Sequence, residues 1–396
     1  MTELELTVSP NTWNRVEGLQ AVLDQFEARH HIRVRVTVLP WDTAWSDLMK
    51  TALYKHGADV SQIGSSWMSD FIRMHALEPF DSRDVAEMGG AAAFFPSIWQ
   101  SCSLGGGPEV WAMPWWTDTR VIYYRRDLLE RAGIDEQTAF GSAEALDATL
   151  RRLQQSGVDS PWTVLTQHAP ILVHTIASWI WGAGGDLVSA DGKRIRFGEE
   201  EALSGIRAYF ALHRYLPPHA HGLSGGETSA RYHQGEAAAF ISGSWERLHY
   251  PTQAPIVREN TRVARVPGVP FVGGCNLVIW NHTRHKRAAL ELVRFLTSLE
   301  GQIDYTSRTP LFPARLEAWP AARFADDVEY RVMQDALRIG RGFPSVSMWG
   351  LIEDGLLNAF SWLWEDIATH PNIDVDAAAR EHIEPLVRRL NLTLNG

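Results

Sequence analysis

Five short clusters pair an indole with side chains that bind hydroxyls: Asn11, Trp13 and Glu17; Trp41 and Asp42 after Pro40; Ser65 and Ser66 before Trp67; Trp115 and Trp116 with Asp118; and Trp245 between Ser244 and Glu246. An indole offers a flat apolar face, and Asp, Glu, Asn and Ser supply hydrogen-bond partners at its edge. That combination suits a ring with C–H faces and hydroxyl rims, so the chemistry it points to is non-covalent binding of a carbohydrate-like solute. One such cluster alone is ordinary packing. Several in loop-like contexts, in a chain with 17 tryptophans, are expected to act as a group. Trp99, Trp162, Trp319, Trp362 and Trp364 lack these neighbours and are read as structural.

Signals for catalysis are weak by comparison. No Gly-x-x-x-x-Gly-Lys-Ser/Thr loop is present, and Gly182-Ala-Gly-Gly185 lacks the glycine spacing of a dinucleotide site after a clear strand. The pairs His30/His31, His219/His221 and His282/His285 have no third ligand at a recognisable spacing. The stretch from Ile241 to Trp245 lacks the first glycine of a nucleophile elbow. Glu353 and Asp354 would provide two acids for a glycoside hydrolase, but adjacent acids on a helix ordinarily mark a solvated face. No catalytic residue, metal site or cofactor is therefore expected. Cys102 and Cys275 are read as inert buried thiols, with a bridge between them as the alternative.

The elements that position these clusters follow from periodicity. Leu4, Leu6 and Val8 alternate with polar residues, Leu19, Val22, Leu23 and Phe26 fall at helical spacing, and Ile32, Val34, Val36 and Val38 alternate again. Strand, helix and strand with a crossover of this length make a right-handed parallel unit, whose ligand side lies beyond the carboxyl ends of its strands. That rule nominates residues 9–17 and 39–42. A helix is expected over 43–56, a short strand over 59–64, a Trp- and Pro-rich run over 111–120 as a crossover between domains, and a strand over 121–124. Farther on come a turn with Asp191-Gly192 at its tip, an amphipathic helix near 202–210, a strand region over 267–280 and a helix ended by Gly301. Helices are expected over 351–366 and 376–390.

At 396 residues, with 45% apolar and 21% charged side chains, the chain is long enough for two or three folded domains. Its net charge of -10 argues against a nucleic-acid partner. No apolar run reaches membrane-spanning length, and the start MTELELTVS has no basic, then apolar, export signal.

Five segments resemble, in order, the sugar-binding family 1 of extracellular solute-binding proteins of ABC importers, the maltose-binding-protein-like cluster. These are GADVSQIGSSWMSDFIRMHALEPF (57–80), AMPWWTDTRVIYYRRDLLERAGID (112–135), YHQGEAAAFISGSW (232–245), VPGVPFVGGCNLVIW with RAALELVRFLTSLEGQ (266–280 and 287–302), and GRGFPSVSMWGLIEDGL (340–356). The resemblance implies a type II periplasmic-binding-protein fold in the α/β class. Each lobe would be a mostly parallel sheet flanked by helices, with a multi-strand hinge between them. It divides the chain into an N-terminal lobe of 1–116 and 266–308 and a C-terminal lobe of 117–265 and 309–396, with solute held in the cleft.

The resemblance further implies a non-enzymatic receptor that delivers a mono- or oligosaccharide to a membrane permease. It marks Ser65, Ser66, Trp67, Trp116, Asp118, Trp245 and Trp349 as contacts, with Gly273 and Gly274 letting backbone approach the ligand. Asn11, Trp13, Glu17 and Trp41 are nominated by strand position as well. A periplasmic or extracellular monomer is expected, lipid-anchored in a longer precursor whose export segment has been removed ahead of Met1. Polyols, polyamines and phosphorylated solutes remain as alternative ligands of the same fold, and a glycoside hydrolase remains as the rival class.

Overall fold

A computed structural model describes residues 2–9, 16–217, 220–321, 327–370 and 372–395. The chain divides into two compact units. The first holds residues 1–118, 272–331 and 342–350, and the second holds 119–271, 332–341 and 351–396. Against the expected lobes, 117–118, 309–331 and 342–350 fall in the first unit and 266–271 in the second. β9 (Phe312–Pro313) joins the first unit's sheet by pairing with β4 (Met113–Thr119), and 342–350 is tied to that unit where the Gly105 N–H donates to the Ser345 carbonyl at 2.6 Å, attachments that no local pattern encodes.

In the first unit, β1 (Thr2–Val8), α1 (Val16–His30) and β2 (Ile32–Val38) form the expected parallel pair. Leu19, Val22, Leu23 and Phe26 are the buried stripe of α1, which holds the helix against the sheet through its apolar face. β3 (Val60–Gly64) lies parallel on the other side of β1. The sheet order is β2-β1-β3-β8-β4-β9, where β8 (Val272–Ile279) runs antiparallel to β3. The parallel strands end together at Val8, Val38 and Gly64, and the antiparallel start of β8 meets the same edge, with Cys275 opposite Gly64. α2 (Trp41–Tyr54) begins directly beyond β2.

The second unit carries a three-stranded sheet of order β6-β5-β7, formed by β5 (Val121–Arg125), β6 (Ala239–Ser242) and β7 (Thr261–Arg265). Both of its pairs are antiparallel, where mostly parallel pairing was expected for each lobe. Alternation along a strand reports which faces are buried and is silent on the direction of partners that arrive far along the chain. The helix Ile171–Gly182 is buried almost all round and packs Trp179 edge-on against Tyr209 of the helix Glu200–Phe210 at 5.2 Å.

Three further local expectations need correction. The run 111–120 is no loop: Met113–Thr119 is a strand whose seven residues are all buried, because both of its faces are covered. Gly301 does not end the helix Lys286–Thr297. Ser298 does so, and its hydroxyl accepts the Gly301 N–H at 3.0 Å to cap the next helix, Leu299–Arg308. Trp362, read as structural, is 50% exposed on the helix Trp349–Thr369, whereas Trp162, Trp319 and Trp364 are buried as expected.

Candidate functional site

The rim of the first unit brings four of the nominated residues, Trp41, Ser65, Ser66 and Trp67, to one edge of the sheet. Trp41 opens α2 just after β2, and Ser65, Ser66 and Trp67 form a single 3-10 turn just after β3. All four are partly exposed. The two indoles meet edge to face with centroids 5.6 Å apart at 61°. This leaves an aromatic corner with two serine hydroxyls in the neighbouring turn. The Trp41 Nε1–H is buried with no acceptor among the described residues, a group suited to a ligand hydroxyl.

Trp116 and Asp118 lie on β4, beside the start of β8, where the Thr117 hydroxyl donates to the Gly273 carbonyl at 2.8 Å. Both are buried in this conformation, so they sit beneath the rim rather than on it. Asp118 lies close enough to Cys275 to add to the burial that pushes that thiol well above its usual range, against a lowering hydrogen bond from Gln62. Gly274 has φ +146°, and a Cβ there would stand 2.3 Å from the Trp116 carbonyl oxygen. Close approach of β4 therefore accounts for that glycine without a ligand.

Glu17 is exposed in the first turn of α1, while Asn11 and Trp13 lie outside the described residues. Trp349, expected to stack on a ligand, is fully buried and leans on Phe343 at 4.7 Å. In this conformation it is a packing residue. Trp115 is likewise core, stacked on Tyr305 at 4.6 Å.

The second unit holds one nominated indole, Trp245. Trp245 follows β6 by a short Gly-Ser turn and is half-buried. The guanidinium of Arg120, 4% exposed, lies 4.9 Å from the Trp245 ring centroid and 5.5 Å from that of Phe271. One Arg120 nitrogen is 3.2 Å from His174 Nδ1, and His174 Nε2 is 3.3 Å from Glu353 Oε1. A chain of Arg, His and Glu thus backs the indole, and the His174 ring stacks on Phe271 at 4.4 Å. A cavity of about 70 Å³ opens beside them, lined by Arg120, Thr175, Thr228, Ser242 and Trp245 among others. At about 30 Å³ per water it has room for about two waters.

Sequence reasoning missed Arg120, His174 and Glu353. The available signals were a cation two residues beyond Asp118 and a single basic group inside the apolar run ILVHTIASWIW. Glu353 was read with Asp354 as a solvated pair, but the helix turns Glu353 inward and leaves only Asp354 exposed.

Glu246, grouped with Trp245 as a hydroxyl partner for ligand, is 2% exposed and already engaged. Its carboxylate accepts hydrogen bonds from Ser229 Oγ at 2.5 Å, His233 Nε2 at 2.8 Å and Ser242 Oγ at 2.5 Å. Burial raises its pKa, and these three donors outweigh burial and hold it below the ordinary glutamate value. Glu246, His233 and His249 have the composition of a metal site, with ligand atoms within 4.8 Å of one another. Yet His233 gives one ring nitrogen to Glu246 and the other to the Gln253 amide, so neither is left for a cation.

Both units place tryptophans beside polar side chains. The profile of the family described as "Bacterial extracellular solute-binding protein" matches residues 12–303. The maltose-bound MalE3 of T. maritima is 21% identical, with a TM-score of 0.82 over 98% of this chain and 100% of that one. The sugar-binding protein MalE of Xanthomonas citri, also 21% identical, has a TM-score of 0.82 over 100% of this chain and 98% of that one. A Deinococcus radiodurans sequence named "Probable ABC transporter-binding protein" is 26% identical over 258 residues, 62% of this chain and 59% of its own length. The two solved structures establish a type II periplasmic-binding-protein fold. With a family profile spanning most of its length, the chain belongs to the bacterial extracellular solute-binding proteins.

Proposed function

We propose that the protein is the carbohydrate receptor of an ABC importer, binding a mono- or oligosaccharide without chemical change and passing it to a membrane permease. The observation that carries this reading is the Trp41–Trp67 corner. Two partly exposed indoles in contact, with Ser65 and Ser66 in the adjoining turn, stand where parallel strands end. Trp245 supplies a platform in the second unit, and Asp118 and Glu17 are proposed to accept hydroxyl hydrogen bonds. Asn11, Trp13, Trp116 and Gly273 are retained as proposed contacts, and the protein is proposed to act as a monomer outside the cytoplasmic membrane. Among the described residues no helix is long and apolar enough to cross a membrane.

Charge argues against one alternative. A polyamine stacked on Trp245 would bring an ammonium toward the Arg120 guanidinium, 4.9 Å from the same ring, and like charges in a partly buried site repel. A sugar has no such conflict. Support for delivery to a permease comes from the Deinococcus relative's name and from the family itself.

The test is a tryptophan-fluorescence titration against mono- and oligosaccharides, polyols, polyamines and phosphorylated solutes, with thermal shift and a product assay alongside. Saturable response to a sugar, a raised melting temperature and unchanged sugar are expected. A response confined to another solute removes carbohydrate from the reading, and release of product replaces the receptor with a hydrolase.

A further inference from the structure

The turn that carries Trp245 is held by more than its length requires. The Tyr123 hydroxyl, from β5, donates to the Gly243 carbonyl at 2.7 Å and pins the start of the turn. Glu246 pins its end. Two of the donors to its carboxylate, Ser229 and His233, come from the helix Gly225–His233, and the third, Ser242, is the last residue of β6. His233 is itself fixed on its far side by the Gln253 amide and stacked on His249 at 4.7 Å. Trp245 is the one residue between these anchors whose side chain is partly exposed; Ser244 is buried.

A buried carboxylate is an expensive way to close a turn, since desolvating it opposes folding and any loss of a donor leaves a charge uncompensated. Neutral caps would suffice for a turn that only connects elements. The arrangement makes sense if the position of the indole matters. We propose that Glu246 is the positioning residue for Trp245, setting the ring through a rigid link to the helix Gly225–His233 rather than by touching ligand. This rests on the reading of Trp245 as a ligand platform. The helix contributes Gly225 and Thr228 to the wall of the same cavity that Trp245 lines, so a shift at Glu246 would alter ring and wall together.

The test separates positioning from sugar binding. Protein labelled with 5-fluorotryptophan is observed by fluorine NMR, with the Trp245 signal assigned from Trp245→Phe. Glu246→Ala and the milder Ser229→Ala are expected to shift or broaden that signal while leaving those of buried Trp115, Trp162 and Trp280 in place. Ser229→Ala removes one of the three donors and leaves the carboxylate with His233 and Ser242, which keeps the experiment decisive if Glu246→Ala fails to fold. An unmoved Trp245 signal in a folded variant overturns the proposal, and this arm needs no ligand.

The second arm uses maltose as the probe. Glu246→Ala is expected to weaken binding about tenfold, yet to add less than about twofold in a Trp245→Ala background, because a residue acting through Trp245 has nothing left to position. Additive losses would overturn the proposal. Absence of maltose binding by the unmodified protein would remove maltose as the ligand, leaving the sugar reading to the wider panel and the positioning proposal to the fluorine result.

Discussion

The indole of Trp245 folds back over Gly243: a Cβ at Gly243 would stand 2.1 Å from Trp245 Cζ3 and 2.4 Å from Cη2. The backbone of Gly243 is extended, with φ −109° and ψ −170°, a conformation open to any residue. The demand for glycine therefore comes from the ring and not from torsional strain. Gly243→Ala is expected to evict the indole, weaken binding of the preferred sugar about tenfold or more, and lower stability by only about 1 kcal/mol, since the displaced ring can move outward. A titration with wild-type affinity would show that Trp245 is not a platform.

The aromatic corner of the first unit gives a second test. Trp41→Ala and Trp67→Ala are each expected to weaken binding about tenfold or more, with losses that do not add, because each ring supports the other at 5.6 Å. Trp362→Ala is the control: this indole is 50% exposed on a helix and carries no proposed contact, so binding should be unchanged. Calorimetric titration of these three variants and of the Trp41→Ala/Trp67→Ala double variant decides the matter, and a Trp362 effect equal to the others would undo the assignment.

Acid should expose the Glu246 hub. Its folded pKa lies below the ordinary glutamate value, so the stabilisation is fully present above about pH 4.5 and is lost as pH falls through the folded value. The gap in melting temperature between wild type and Glu246→Gln is expected to hold steady above about pH 4.5 and to narrow progressively as the pH falls below it. A gap that stays constant down to pH 3 would mean that the charge of Glu246 contributes nothing.

How much of this was legible in the sequence depended on whether the signal was local. The β1–α1–β2 unit could be read because Leu4, Leu6 and Val8 keep one period and Leu19, Val22, Leu23 and Phe26 another. Trp41 and Trp67 could be placed because strand ends follow from strands. The Trp-Pro run hid a strand because burial on both faces erases alternation, leaving composition as the sole cue. Arg120, His174 and Glu353 meet from three separate segments, and Glu246 meets Ser229 and His233 across a turn and a helix. Such contacts carry no spacing, and a carboxylate engaged by buried donors has the same letter as one that faces a ligand.

The two cysteines should behave as inert groups. Both are free and buried, and burial pushes both thiols up, which suppresses the thiolate that would react. A thiol reagent such as Ellman's is expected to label neither in the native protein and both after denaturation. Rapid native labelling of Cys275 would indicate that the sheet edge around Gly64 opens on the timescale of the assay, since those two residues are paired across β3 and β8.

Gly274 separates a ligand role from a packing role. The sequence reading gave it to the ligand, as a place where backbone could approach a sugar. Its space is taken up by β4 instead: a Cβ would meet the Trp116 carbonyl oxygen at 2.3 Å, Thr117 Cα at 2.8 Å and Ile98 Cδ1 at 3.2 Å, and φ is +146°. Two of those neighbours are backbone atoms and cannot step aside as the Trp245 ring can. Gly274→Ala is therefore expected to destabilise the first unit by about 3 kcal/mol or more, as strain at a special φ combines with overpacking, and to reduce the melting temperature accordingly. Chemical denaturation with and without sugar checks it. A variant of unchanged stability that no longer binds sugar would return Gly274 to the ligand.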